Sequence, residues 1–158
     1  MDAALINPFI NSTLNVIKTM AFTEAKPGAP YIKTGNKTYG MVTGIIGLAS
    51  EKYSGNMILS FEEGAILAIV SGMLGETFKA VDQDVVDAVG ELTNMISGGA
   101  KAVLSQEGYV FNMATPAMVV GRDVEISQLT SSPILAVPFA TSGGNFVVEA
   151  GLVKRRNS

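Results

Sequence analysis

The sequence predicts an α+β fold of two layers, a mostly antiparallel sheet with helices packed on one side. Three observations predict it. Apolar residues recur at helical spacing near the start and through the middle of the chain. Glycine-punctuated runs of β-branched and aromatic residues lie on both sides of that helical middle. Short turn signals join those runs, which suits hairpins better than long crossovers. The 158 residues fit one compact domain spanning 1–158.

Leu5, Ile6, Phe9, Ile10, Leu14 and Ile17 predict a helix over about 6–21. Asn7 is placed to cap it, and Pro8 falls in its first turn, where a missing donor costs little. Residues 26–30 read as a turn or loop, 31–33 as a short strand and 34–37 as a further turn. Residues 39–49 and 53–61 then form a hairpin around Ser50, Glu51 and Lys52. Gly44, Gly47 and Gly55 are awkward in plain strands and suggest a bend, a bulge or close approach by a helix.

Ser60 followed by Glu63 has the capping-box spacing, so a largely buried helix is expected over 61–74, ending near Gly75. Residues 79–106 read as the longest helix, with Asp82 and Asp84 as acids favourable to its N-terminal dipole. Beyond Tyr109 the period changes. Residues 110–111, 118–121, 124–129, 134–139 and 146–152 read as strands or extended pieces, with a tight turn at 141–145. A helix and hairpin in each half would suit a pseudo-repeat, but the self-similarity is too weak to assert one.

Composition narrows the function. Hydrophobic residues make up 47% and charged residues 16%, which predicts folding rather than disorder. The net charge is -3, so no broad basic surface exists for nucleic acid. Lys154, Arg155 and Arg156 form the one dense basic run and read as a solvated, mobile tail. With no cysteine and no histidine, disulfides, thiolate catalysis and a Ser-His-Asp triad within this chain are excluded. No apolar run reaches the ~20 residues that span a bilayer, so no membrane association is expected. Met1 to Ala4 lack a basic residue, so the start does not read as a signal peptide, and a soluble cytoplasmic protein is expected.

The long helix is where chemistry would sit. On a wheel of ~100° per residue, Val85, Val86, Val89, Leu92, Ile96, Ala100, Val103 and Leu104 form the buried stripe. Asp87, Glu91, Asn94, Gly98 and Lys101 fall opposite. Glu91 and Asn94 are three apart, so their side chains stand together, with Asp87 one turn below. A glycine inside a helix costs roughly 1 kcal/mol relative to alanine. Gly90, Gly98 and Gly99 therefore suggest close packing or docking, or else a kink. An acid and an amide on a solvated helix face are ordinary on their own.

The combination is less ordinary. Asp87, Glu91, Asn94 and the later Pro116 resemble the signature of the CheC/CheX/FliY family of bacterial chemotaxis phosphatases. The run from Gly90 through Glu91, Leu92, Thr93 and Asn94 to Met95 is close to it, and so is the run from Thr115 and Pro116 to Gly121, Arg122 and Asp123. The opening Asn7-Pro8-Phe9-Ile10, the single motif and the length resemble CheX more than CheC, over essentially the whole chain.

That resemblance implies a CheX-like α+β fold and hydrolysis of the aspartyl phosphate on CheY or a related receiver domain. It also implies a homodimer joined through its sheet. Glu91 and Asn94 match the family's catalytic glutamate and asparagine; Asp87 and Pro116 match less central positions. CheC-type proteins carry a second pair on the N-terminal helix. Here the matching segment holds Ser12 and Asn15, with no glutamate at the motif spacing, so one site is expected.

The implied chemistry needs no histidine. An aspartyl phosphate is an activated mixed anhydride, so the phosphatase has to place a water in line and shield developing charge. Asn94, with one acceptor and two donors, suits that role. Glu91 is read as an anchor for a basic side chain of the receiver, since an exposed carboxylate is a poor base at neutral pH. No cofactor is expected in this chain; Mg2+ would be held by the receiver. One rival is a non-enzymatic receiver-binding or scaffolding module of the same fold. Another is a metal-dependent hydrolase using Asp82, Asp84 and Asp87, although Asp82 and Asp84 do not face together on a helix. Gly98-Gly99 and Gly143-Gly144 lack the pattern of a nucleotide loop. The methionines, Met73, Met95, Met113 and Met118 among them, read as core or contact filler.

Overall fold

The structure, a computed structural model, describes residues 3–126 and 133–155. The chain opens with α1 (Ala3–Ala21), followed by two-residue strands β1 (Lys26–Pro27) and β2 (Tyr31–Ile32). A hairpin, β3 (Val42–Ala49) and β4 (Tyr53–Phe61), leads into α2 (Glu63–Leu74) and α3 (Gln83–Gln106). The C-terminal half adds β5 (Asn112–Met113), β6 (Ala117–Val120), β7 (Leu135–Thr141) and β8 (Gly144–Lys154).

The described strands form one sheet in the order β1-β7-β8-β4-β3-β5, with β2 also on β7 and β6 also on β3. The pairings are antiparallel. This is the two-layer α+β fold that the sequence predicts. The strand period of two sends Val42, Ile46, Met57, Leu59, Val148 and Leu152 to the helix side, where they join the apolar stripes of all three helices. Register puts Phe61 opposite Phe146 and Phe146 opposite Phe139. The rings form a ladder under α2, with centroids 5.0 and 4.9 Å apart.

The other face of the sheet is partly polar. Thr43 and Ser60 stand opposite each other, and their hydroxyls are 2.7 Å apart. Ser60 Oγ also accepts from the Gly40 N–H at 2.9 Å. That corrects the expected cap. Ser60 and Phe61 finish β4, and Glu62 is the N-cap of α2 with no side-chain capping bond. A cross-sheet partner for the Ser60 hydroxyl outweighs the local Ser-to-Glu pattern.

Other boundaries shift as well. α1 begins at Ala3, so Asn7 is inside the helix rather than capping it, and Pro8 sits beyond the first turn. The longest helix begins at Gln83, because the Asp82 carboxylate accepts the Val85 N–H at 3.0 Å and fixes the start. Lys26 and Pro27, expected in a loop, pair with Ala140 and Phe139. β3 begins at Val42, later than expected, and the short piece at 110–111 lies instead at 112–113. Within the expected strand 124–129, the described part makes one bridge, Glu125 with Lys37; residues 127–129 lie outside the described residues.

The basic tail is anchored over its described part. Lys154 pairs with Tyr53, the Arg155 N–H donates to the Lys52 carbonyl, and its guanidinium donates to the Ser50 carbonyl at 3.0 Å. Arg156 lies outside the described residues.

Candidate functional site

α3 crosses the helix-side face of the sheet over β3, flanked by α1 on one side and β6 on the other. Its buried side consists of Val85, Ala88, Val89, Leu92, Thr93, Ile96, Ser97, Ala100 and Leu104. Two expected members of that stripe depart from it: Val86 is half-buried and Val103 is 42% exposed, at the edge turned toward α1. The sequence-based stripe also left out Thr93 and Ser97. Their hydroxyls are satisfied inside the helix, donating to the Val89 and Thr93 carbonyls, each at 2.7 Å. Buried threonine and serine on the sheet side give no apolar signal, which is why periodicity overlooks them.

Opposite this stripe, Glu91 and Asn94 are both exposed. Among the described residues, neither side chain takes part in a hydrogen bond or ion pair. Asp87, one turn earlier, accepts from the Gln83 side chain at 2.8 Å. Pro116 is half-buried in the connection between β5 and β6. Met118 of β6 and Met113 of β5 form the near flank: a Cβ on Gly90 would lie 3.7 Å from the Met118 sulfur, and one on Gly98 4.0 Å from the Met113 methyl.

Those are ordinary contacts, so packing within this chain does not demand a glycine at 90 or 98. Gly98 keeps the surface one turn past Asn94 low. α3 runs unbroken through Gly98 and Gly99, so neither ends the helix. Gly99 has a steric role, since a Cβ there would overlap Ser12 Oγ.

The pair stands on an open helix face. A groove of about 460 Å³ lies to one side of it, between α1 and α3, lined by Asn7, Asn11, Asn15, Gly99, Val103 and Glu107 among others. Neither member of the pair lines that groove. An acid and an amide on an open ridge cannot enclose a small substrate, but such a ridge can enter a concave site on another protein.

Burial and a 2.6 Å hydrogen bond to Glu62 push the Tyr39 hydroxyl up to about 12. The same bond, with the Asn145 N–H, holds the Glu62 carboxyl below its usual range. On the other sheet face, burial pushes the Glu149 carboxyl up against the opposing pull of Lys33, 2.7 Å away. Asp82 is committed to capping and Asp87 to Gln83, and among the described residues no His/Cys/Asp/Glu cluster could hold a metal ion.

The fold and the ridge define a two-layer α+β domain whose long helix exposes an acid and an amide side by side. Residues 42–140 match the family described as chemotaxis phosphatase CheX. The chain belongs to that family. It is similar to the CheY-P phosphatase CheX of Thermotoga maritima, at 29% identity over 141 residues, covering 89% of each chain. Among solved structures, it resembles a CheC-like superfamily protein from Shewanella sp. PV-4, at 43% identity and a TM-score of 0.90, covering 97% of this chain and 99% of that one. It also resembles the CheX of a CheX-CheY-BeF3-Mg2+ complex from Borrelia burgdorferi, at 26% identity and a TM-score of 0.81, covering 94% and 97%.

Proposed function

We propose that this chain hydrolyses the aspartyl phosphate of a CheY-type response regulator, with Asn94 positioning the attacking water and Glu91 anchoring a basic side chain of the receiver. The carrying observation is that both side chains are exposed and, among the described residues, uncommitted on one face of α3, in a chain of the chemotaxis phosphatase family. An uncommitted amide has its acceptor for a water proton and its donors for a phosphoryl oxygen. The low surface at Gly98 lets the receiver approach closely. In this reading Mg2+ and the phosphorylated aspartate belong to the receiver; the similar B. burgdorferi protein is found in a complex with CheY, BeF3 and Mg2+. Catalysis is then mostly positioning in a site that two proteins complete, and a misplacement of ~1 Å is enough to cost about 10²-fold.

Asn94→Ala should lower turnover at saturating phospho-receiver by about 10²-fold or more while affinity for the beryllofluoride-loaded receiver stays within about 3-fold. Phosphate release and a binding titration measure the two. Equal losses of turnover and affinity would reject the water-positioning role. Glu91→Ala should weaken binding of the same loaded receiver by about 10-fold. Unchanged affinity would remove its anchoring role. Neither change should lower unfolding free energy by more than ~1 kcal/mol, since both side chains lie in solvent.

We also propose a homodimer joined through the sheet. Tyr31 and Ile32, exposed on the short edge strand β2, support that reading. Sedimentation at micromolar concentration tests it; a monomer throughout would reject it.

A further inference from the structure

Thr93 lies between Glu91 and Asn94 in sequence, but its side chain is buried against the sheet while theirs are exposed. It is fully buried and lands on β3 at Gly44. A Cβ on Gly44 would overlap Thr93 Oγ1 and stand 3.3 Å from the Thr93 Cβ. The hydroxyl cannot swing aside without giving up its 2.7 Å bond to the Val89 carbonyl. A second contact of the same kind holds α3 from the side. Ser12 of α1 donates across the helix crossing to the Ile96 carbonyl at 2.6 Å. A Cβ on Gly99 would overlap that Ser12 hydroxyl and stand 3.2 Å from its Cβ.

Residues 93 and 99 are six apart, so these contacts lie roughly 120° apart around the helix and about 9 Å apart along it. One bears on the height of α3 above the sheet, the other on its roll against α1. The third flank is soft, because it consists of Met113 and Met118, whose side chains adapt readily.

We propose that Gly44 and Gly99 are positioning residues for the Glu91–Asn94 pair, acting through Thr93 and Ser12 to set the height and roll at which α3 presents it. This inference rests on the reading that those two residues perform the chemistry. A Cβ at either glycine needs a displacement on the order of 1 Å to relieve the overlap, the scale at which positioning catalysis fails. Binding should suffer less, because it is spread over many contacts.

The test is a pair of size swaps, read as kcat, KM, affinity for the beryllofluoride-loaded receiver, and thermal unfolding. Gly44→Ala and Gly99→Ala should each fold and lower kcat by about 10-fold or more, with affinity within about 3-fold. Gly44→Ala combined with Thr93→Ala, and Gly99→Ala combined with Ser12→Ala, should restore kcat to within about 3-fold of the parent. Parent-like kcat in the folded single variants overturns the proposal, as does a loss that the swaps leave unrelieved. Unfolding of both single variants would mark the seats as structural only and also overturn it. Asn94→Ala, run in parallel, separates this inference from the reading beneath it. If Asn94→Ala keeps its turnover, the site assignment fails. If it is inactive while the glycine variants are not, the seats alone fail.

Discussion

α1 and α3 lie side by side on one face of the sheet, and each carries an asparagine on its solvent side, Asn15 and Asn94. They differ three residues earlier. On α3 that position is Glu91, exposed; on α1 it is Ser12, buried, with its hydroxyl on the Ile96 carbonyl at 2.6 Å. The same i,i+3 spacing therefore gives a paired acid and amide on one helix, and on the other a packing contact beside an amide with no acid at that spacing. The crossing explains the difference. Ser12 packs directly on Gly99 between the two helices, and a longer or charged side chain there would have to part them or burrow into the groove. A polar residue at helical spacing becomes a site only where its neighbour at the matching turn is also free of packing.

The strongest way to break this comparison is to write the missing acid into α1. Ser12→Glu creates the Glu-to-Asn spacing with Asn15. The change should lower unfolding free energy by about 2–3 kcal/mol and add no phosphatase activity, because the carboxylate starts from a buried crossing position. Urea unfolding and phosphate release check the two halves. A stable variant with increased turnover would show that α1 is a silent copy of α3 and that packing does not keep it so.

The same contrast explains what the sequence could disclose. The sheet-and-helix layering, the strand 53–61 and the Glu91–Asn94 face follow from periodicity, which is local, and the strand and helix face they name are present. Gly44 signals a bend, a bulge or close approach by a helix, and Thr93 provides the last of these. What periodicity could not give was the partner. Ser60 looked like a cap because its hydroxyl partner, Thr43, is seventeen residues away. Lys154 and Arg155 read as a loose tail because their partners lie about a hundred residues earlier, at the first residue of β4 and in the turn before it. Val103 looked buried because the wheel does not show where α1 stops covering α3. The pair was legible from its spacing and its resemblance to the family, whereas the glycine seats beneath it needed coordinates.

Two smaller changes sharpen the comparison. Ser12→Ala removes the cross-helix hydrogen bond but leaves the Ile96 carbonyl available to the helix's own ladder. It should cost about 1 kcal/mol of unfolding free energy. A cost near zero would mean that the crossing is held by shape alone, and the weight would move to Gly99. Asn15→Ala should do least. Its side chain is exposed, and the 2.8 Å bond at this position, from the Thr19 hydroxyl, goes to its backbone carbonyl, which the substitution keeps. Stability should stay within about 0.5 kcal/mol of the parent, and turnover should be unchanged. A fall in turnover with stability intact would be the more instructive result. It would mean that the receiver reaches across both helices, and that Asn15 on α1 works alongside the pair on α3.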